Sequence, residues 1–153
     1  MNKLIQCARP VAAIAAAVAL LTGCNSPTDV TAEDLQGTWL ASQARYSGLE
    51  DQKNDNYDLI ENGYTVVFFS DGRGNFTIEL TDQDGLSELI TGTMAFGGTA
   101  VDVTSEGSTS EGEVFLEDEQ IAFSMTSGIK FDFNGNGTET PARLLLVMNR
   151  VSD

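Results

Sequence analysis

The residues best suited to holding an ion are Asp132, Asn134 and Asn136, which alternate along Asp132-Phe133-Asn134-Gly135-Asn136-Gly137. Side-chain oxygens at the first, third and fifth places of a loop, with glycine at the sixth, match the spacing by which a calcium loop surrounds a hard cation. The twelfth place, where a bidentate glutamate would complete the shell, holds Arg143. Repeated Asn-Gly is also what a tight hairpin requires, so the segment reads first as a turn and second as a weak calcium candidate. Asp82, Asp84 and Glu88 form another acidic turn with the same two readings.

Nucleophilic chemistry lacks its parts. The chain has no histidine, and its two cysteines are Cys7 and Cys24. Beyond Cys24 there is therefore no imidazole base, no thiol nucleophile, no pair for an intramolecular disulfide and no His/Cys site for zinc or copper. Paired carboxylates can do acid–base work, but with 23 Asp+Glu in the chain their proximity carries little information. The sequence points to a protein that is not an enzyme and implies no cofactor.

The elements around these residues begin with an export leader. Lys3 and Arg9 make the start basic, and Val11–Leu21 is an uninterrupted apolar run of 11 residues. A transmembrane helix needs about 20, so the run reads as a cleavable signal. It ends in Leu21-Thr22-Gly23-Cys24, which resembles the lipobox of bacterial lipoproteins. That resemblance implies a signal peptide over 1–23, diacylglyceryl on the Cys24 thiol, and cleavage after Gly23. It also implies an amino terminus open to acylation by a palmitate-like chain. Two or three acyl chains anchor a protein stably where one does not. Asn25 stands where aspartate tends to retain such proteins at the inner membrane, so the resemblance points to the cell envelope, on the outer membrane facing the periplasm.

Removal of the leader leaves 130 residues, room for one domain with a useful core. Those residues carry 6 basic and 23 acidic side chains, a formal charge of −17. Such a surface repels nucleic-acid phosphates and anionic headgroups, stays well solvated, and suits cations or a basic protein partner. Residues 24–34 read as the lipidated cysteine and a polar tether, and 35–153 as the domain.

Within the domain the period is two. Phe76, Ile78 and Leu80 alternate with Thr77 and Glu79. From Ile121 to Phe133 every odd position except Ser127 is large and apolar. Turn signals, among them Ser70-Asp71-Gly72-Arg73-Gly74, Gly97-Gly98 and Glu117-Asp118-Glu119, separate eight expected strands. These cover 36–46, 64–69, 75–80, 88–96, 99–104, 113–117, 120–133 and 142–151. The span 47–63 reads as a polar insertion with room for a short helix over 50–61. The unbroken apolar run 144–148 predicts a last strand covered on both faces near its seam with the first. Short connections favour antiparallel neighbours, and closure removes exposed edges, so the expectation is an all-β, single eight-stranded antiparallel up-and-down barrel.

A second resemblance rests on particular residues. Leu35-Gln36-Gly37-Thr38-Trp39 is similar to the Gly-x-Trp opening of lipocalins and bacterial lipocalin-like domains. Arg150 matches the arginine that packs on that tryptophan and closes the barrel base, with Arg143 as a competitor for the place. Val67-Phe68-Phe69-Ser70-Asp71-Gly72 followed by Phe76 is similar to the phenylalanine and Asp-Gly turn of the lipocalin-like domains, and Met94 replaces the tryptophan of a second Gly-x-Trp. The resemblance implies a small apolar ligand held among Trp39, Phe68, Phe76, Met94, Phe123, Met125 and Phe131. The competing reading is an acidic envelope interaction module or enzyme inhibitor, acting through the barrel-end loops, its interior filled by its own side chains.

Overall fold

In the computed structural model, residues 29–49 and 55–152 are described. The leader over 1–23, with Leu21, Thr22 and Gly23, and the lipidation site Cys24 lie outside the described residues.

A one-turn 3₁₀ helix (Glu33–Leu35) precedes nine strands: β1 (Gly37–Gly48), β2 (Asn56–Asp58), β3 (Thr65–Ser70), β4 (Asn75–Thr81), β5 (Ser87–Gly97), β6 (Ala100–Ser105), β7 (Ser108–Glu117), β8 (Gln120–Phe131) and β9 (Thr140–Arg150). Each strand from β3 to β8 pairs antiparallel with the next, and β1 pairs with both β3 and β9. Eight strands thus close into an up-and-down, lipocalin-like barrel. The short strand β2 is the addition, lying against β1 at 45–47, beyond the stretch 37–40 that β3 covers.

Alternation drives the closure. On β1 Trp39 is fully buried, on β3 Val66 and Phe68, and on β8 Ile121, Phe123 and Met125, while the intervening residues face outward. All buried apolar residues of the described chain except Ala142 form one cluster, running from Val30 to Met148. Among the described residues the core is thus built from Val30 onward, beyond residues 1–24.

Several boundaries differ from the sequence expectation. The strand expected at 113–117 starts at Ser108, because Glu106 and Gly107 both adopt positive φ (51° and 79°) in a tight two-residue turn. The strand expected over 120–133 ends at Phe131. Its alternation breaks at Ser127 because the ladder to β9 shifts between Met125 and Ile129, at a bulge where Gly128 has φ +76°. The expected insertion carries β2 and a turn at 59–63 in place of the helix foreseen for 50–61, of which 50–54 are outside the described residues.

The tether is also shorter than its polar composition suggests. Val30 is buried, its N–H donates to the Gly98 carbonyl, and Leu35 is fully buried across the barrel base. Finally, β9 is not covered on both faces: Leu144, Leu146 and Met148 share the inner face, whereas Leu145 and Val147 on the outer face are half-buried without a second layer over them among the described residues.

Candidate functional site

The two ends of the barrel differ. The chain start and the turns after β3, β5 and β7 gather at one end, the base, where Val30 meets Gly98 and Arg150 N–H donates to the Glu119 carbonyl. The turns after β2, β4, β6 and β8 gather at the other, the mouth.

At the base the Arg150 guanidinium lies 4.3 Å from the centroid of the Trp39 ring. Its two terminal nitrogens donate to the carbonyls of Gln36 (2.7 Å) and Asp34 (3.1 Å), and Trp39 Nε1 donates to the Leu35 carbonyl at 2.9 Å. The segment 34–36 is thus pinned under the barrel by a planar cation that stacks on an indole while holding two backbone acceptors, a combination arginine can make and lysine cannot. Arg143 is exposed on β9 opposite Ser47 of β1, far along the ladder from Trp39.

Between this plug and the mouth lies an apolar cavity of about 220 Å³. Its floor is aromatic: Phe68 stacks on Phe76 with centroids 5.9 Å apart and meets Phe123 at the same distance. Met94, Met125, Leu144 and Leu146 continue the wall, and Ile78, Ile90, Val103 and Ile129 carry it toward the mouth. Ser105, Ser108 and Ser110 line the side made by β6 and β7, and none of the lining residues is charged. Tyr46 forms part of the wall opposite, and burial pushes its phenol above the ordinary tyrosine range.

Glycine makes room for the side chains that form this wall. Gly92 on β5 faces inward opposite Phe76, and a Cβ there would collide with the Phe76 ring and the Thr104 carbonyl; Gly112 on β7 is equally tight against Ser124 and Met125. At these two positions β-strand alternation would place a side chain in the barrel, and glycine lets aromatic and thioether groups from the neighbouring strand occupy that room instead.

Of the seven residues considered for a ligand, Phe68, Phe76, Met94, Phe123 and Met125 are brought together around the cavity. Trp39 lies below it in the base. Phe131 is not in the lining itself but backs it, stacked on the wall residue Tyr46 (4.2 Å), tilted toward Tyr57 (5.2 Å) and edge-on to Phe133 (5.0 Å). The three serines escaped the sequence reading, whose only available signal for them was polar residues at alternate positions 108, 110 and 105 across a tight turn.

The Asp132 loop spends its oxygens on itself. The Asp132 carboxylate accepts from the amides of Asn134, Asn136 and Gly137, the last at 2.6 Å, and the Asn136 side-chain oxygen accepts from Thr138 N–H. The Gly137 amide above all holds the Asp132 carboxyl below its usual range. Asp71 does the same work between β3 and β4, accepting from Arg73 and Asn75, and Asp82 between β4 and β5, accepting from Asp84 and Leu86. These are hairpin closures of the Asx kind, and no group of three or more Asp or Glu among the described residues is arranged to hold a metal ion.

No model of a known protein family matches the chain, and no curated protein does either.

Proposed function

We propose that this chain is a lipid-anchored protein of the bacterial cell envelope whose barrel binds one small apolar ligand. The observation that carries the ligand reading is the cavity: about 220 Å³, apolar, uncharged and floored by three phenylalanines. A dry engineered cavity of about 150 Å³ already holds benzene, whereas drug-sized pockets begin near 300 Å³. The ligand is therefore a single small ring or a short chain. An interaction module with a self-filled interior would have no such space, and the cavity favours the carrier reading over it.

The anchor reading rests on Leu21-Thr22-Gly23-Cys24 behind an apolar run. Cys24 stands five residues before Asp29, a reach of at most about 18 Å when fully extended. Since Val30 is fastened at the base, an anchor on Cys24 holds the base toward the bilayer and turns the mouth to the aqueous side. The many carboxylates keep the barrel off an anionic headgroup layer, so the ligand exchanges with water and not with the lipid beneath.

Two measurements test this. Cys24→Ser moves the protein from the membrane to the soluble fraction; continued sedimentation with membranes rejects the anchor. Calorimetry on the chain lacking residues 1–24 gives saturable one-to-one binding with at least one of 1-octanol, methyl octanoate and octanoate; binding of none rejects the carrier.

A further inference from the structure

We propose that the cavity selects amphiphiles with an uncharged, hydrogen-bonding head and refuses carboxylates, so that its ligand is a small alcohol, ester or ketone and not a fatty acid. This rests on the cavity being a ligand site and adds the head-group class. Ser105, Ser108 and Ser110 occupy the wall where β6 and β7 meet at the Glu106-Gly107 turn, which places three hydroxyls at the mouth above an apolar floor. Ser105 donates to the Thr91 carbonyl at 2.8 Å and keeps its lone pairs, while Ser108 and Ser110 make no side-chain hydrogen bond among the described residues. They are hydroxyls left to satisfy a guest, each able both to donate and to accept.

A carboxylate finds nothing there to balance its charge. No arginine or lysine lines the cavity. Acidic residues adjoin this wall: Glu106 follows Ser105 directly, and Glu88 lies on β5 two residues before Ile90, on the same face. Lys130 lies with Asp132 and Glu139 in a separate surface depression that shares no residue with the cavity. A carboxylate drawn in among the half-buried Ser105 and Ser110 sheds part of its hydration with no paired cation to replace it, and acidic neighbours add to the penalty. A neutral head loses little by entering, because the serine hydroxyls replace its bonds to water.

Calorimetric titration of the chain lacking residues 1–24 with 1-octanol, methyl octanoate and octanoate at neutral pH tests the assignment. The two neutral compounds bind, and octanoate binds at least about tenfold more weakly. Octanoate binding as tightly as 1-octanol overturns the proposal while leaving the cavity a ligand site, and binding of none overturns both. Tighter binding of octylammonium than of 1-octanol overturns the uncharged head. Ser108 is exposed at the mouth, so Ser108→Lys supplies the missing cation without disturbing the core. In that variant the affinity for octanoate rises about tenfold relative to that for 1-octanol, which loses the Ser108 hydroxyl; an unchanged ratio overturns the placement of the head beside the serines.

Discussion

At the base of the barrel the inward positions of the strands carry Trp39, Phe68, Val101, Val114, Ile121 and Met148, all buried. At the mouth, the same parity on β6 and β7 places Ser105, Ser108 and Ser110 inward. One set of strands therefore serves two ends, and the side chains that alternation delivers decide which end is packed solid and which is hollow. Stability and binding are separable as a result: substitutions at the base act on folding, and substitutions at the mouth act on the guest.

The sharpest way to break that division is Trp39→Ala. The indole is fully buried, donates to the Leu35 carbonyl and supports the Arg150 guanidinium. Its loss costs about 3–5 kcal/mol, as for other large buried aromatics, read as a shift of the urea midpoint. If Trp39→Ala unfolds near the parent midpoint, the base is not the keystone. Arg150→Ala follows, at about 1–3 kcal/mol for two charge-assisted hydrogen bonds and a cation–π contact. Arg150→Lys recovers only part of this, since an ammonium cannot bridge the Gln36 and Asp34 carbonyls while lying flat on the ring. Full recovery by lysine would reduce the contact to charge alone.

Ser110→Leu probes the other end. Its side chain enters the cavity beside Val103 and fills space that is now open. Stability stays within about 1 kcal/mol of the parent, on the stabilising side through added apolar burial, while calorimetric binding of 1-octanol disappears. A variant that unfolds shows that the mouth is packed like the base, and one that still binds shows that the ligand sits elsewhere.

The same contrast explains what could be read from residues alone. Most strands announce themselves: Phe76-Thr77-Ile78-Glu79-Leu80 and Ile121–Met125 alternate because each inward position meets the core or the apolar wall of the cavity. The start of β7, Ser108-Thr109-Ser110-Glu111, has no apolar residue at all, because its inward side chains face a void and its outward ones face water. Periodicity of hydrophobic residues has nothing to register there, and the Glu-Gly turn before it lacks the Asn-Gly or Asp-Gly signature. Strand β2 was hidden for a related reason, its three residues being too few to show a period. Phe68, Phe76, Met94, Phe123 and Met125 were legible as a group because a cavity floor and a core are built of the same residues; the serines that set its polarity were not.

The smallest effect belongs to the turns, which join at both ends and are held by exposed aspartates. Hydrogen bonds hold the Asp71 carboxyl below its usual range, the Asn75 side-chain amide foremost, and hold Asp132 down through the Gly137 amide. Asp34 is lowered as well, by the Thr31 hydroxyl and amide. A carboxyl whose folded pKa is depressed binds its proton more readily in the unfolded chain. Its contribution is therefore complete above the ordinary aspartate range and is lost as pH falls through the lower, folded value. Stability is accordingly flat through neutral pH and declines only in acid, and Asp71→Asn and Asp132→Asn each make that decline shallower while lowering the neutral plateau slightly. Because Asp71 closes a turn at the base and Asp132 one at the mouth, Asp71→Asn and Asp132→Asn titrated side by side also test the division of labour. Asp132→Asn leaves the core packing around Trp39 untouched, so Trp39 fluorescence stays at its parent value while the acid limb moves; a shifted emission would mean that the mouth turns are coupled to the base through the sheet.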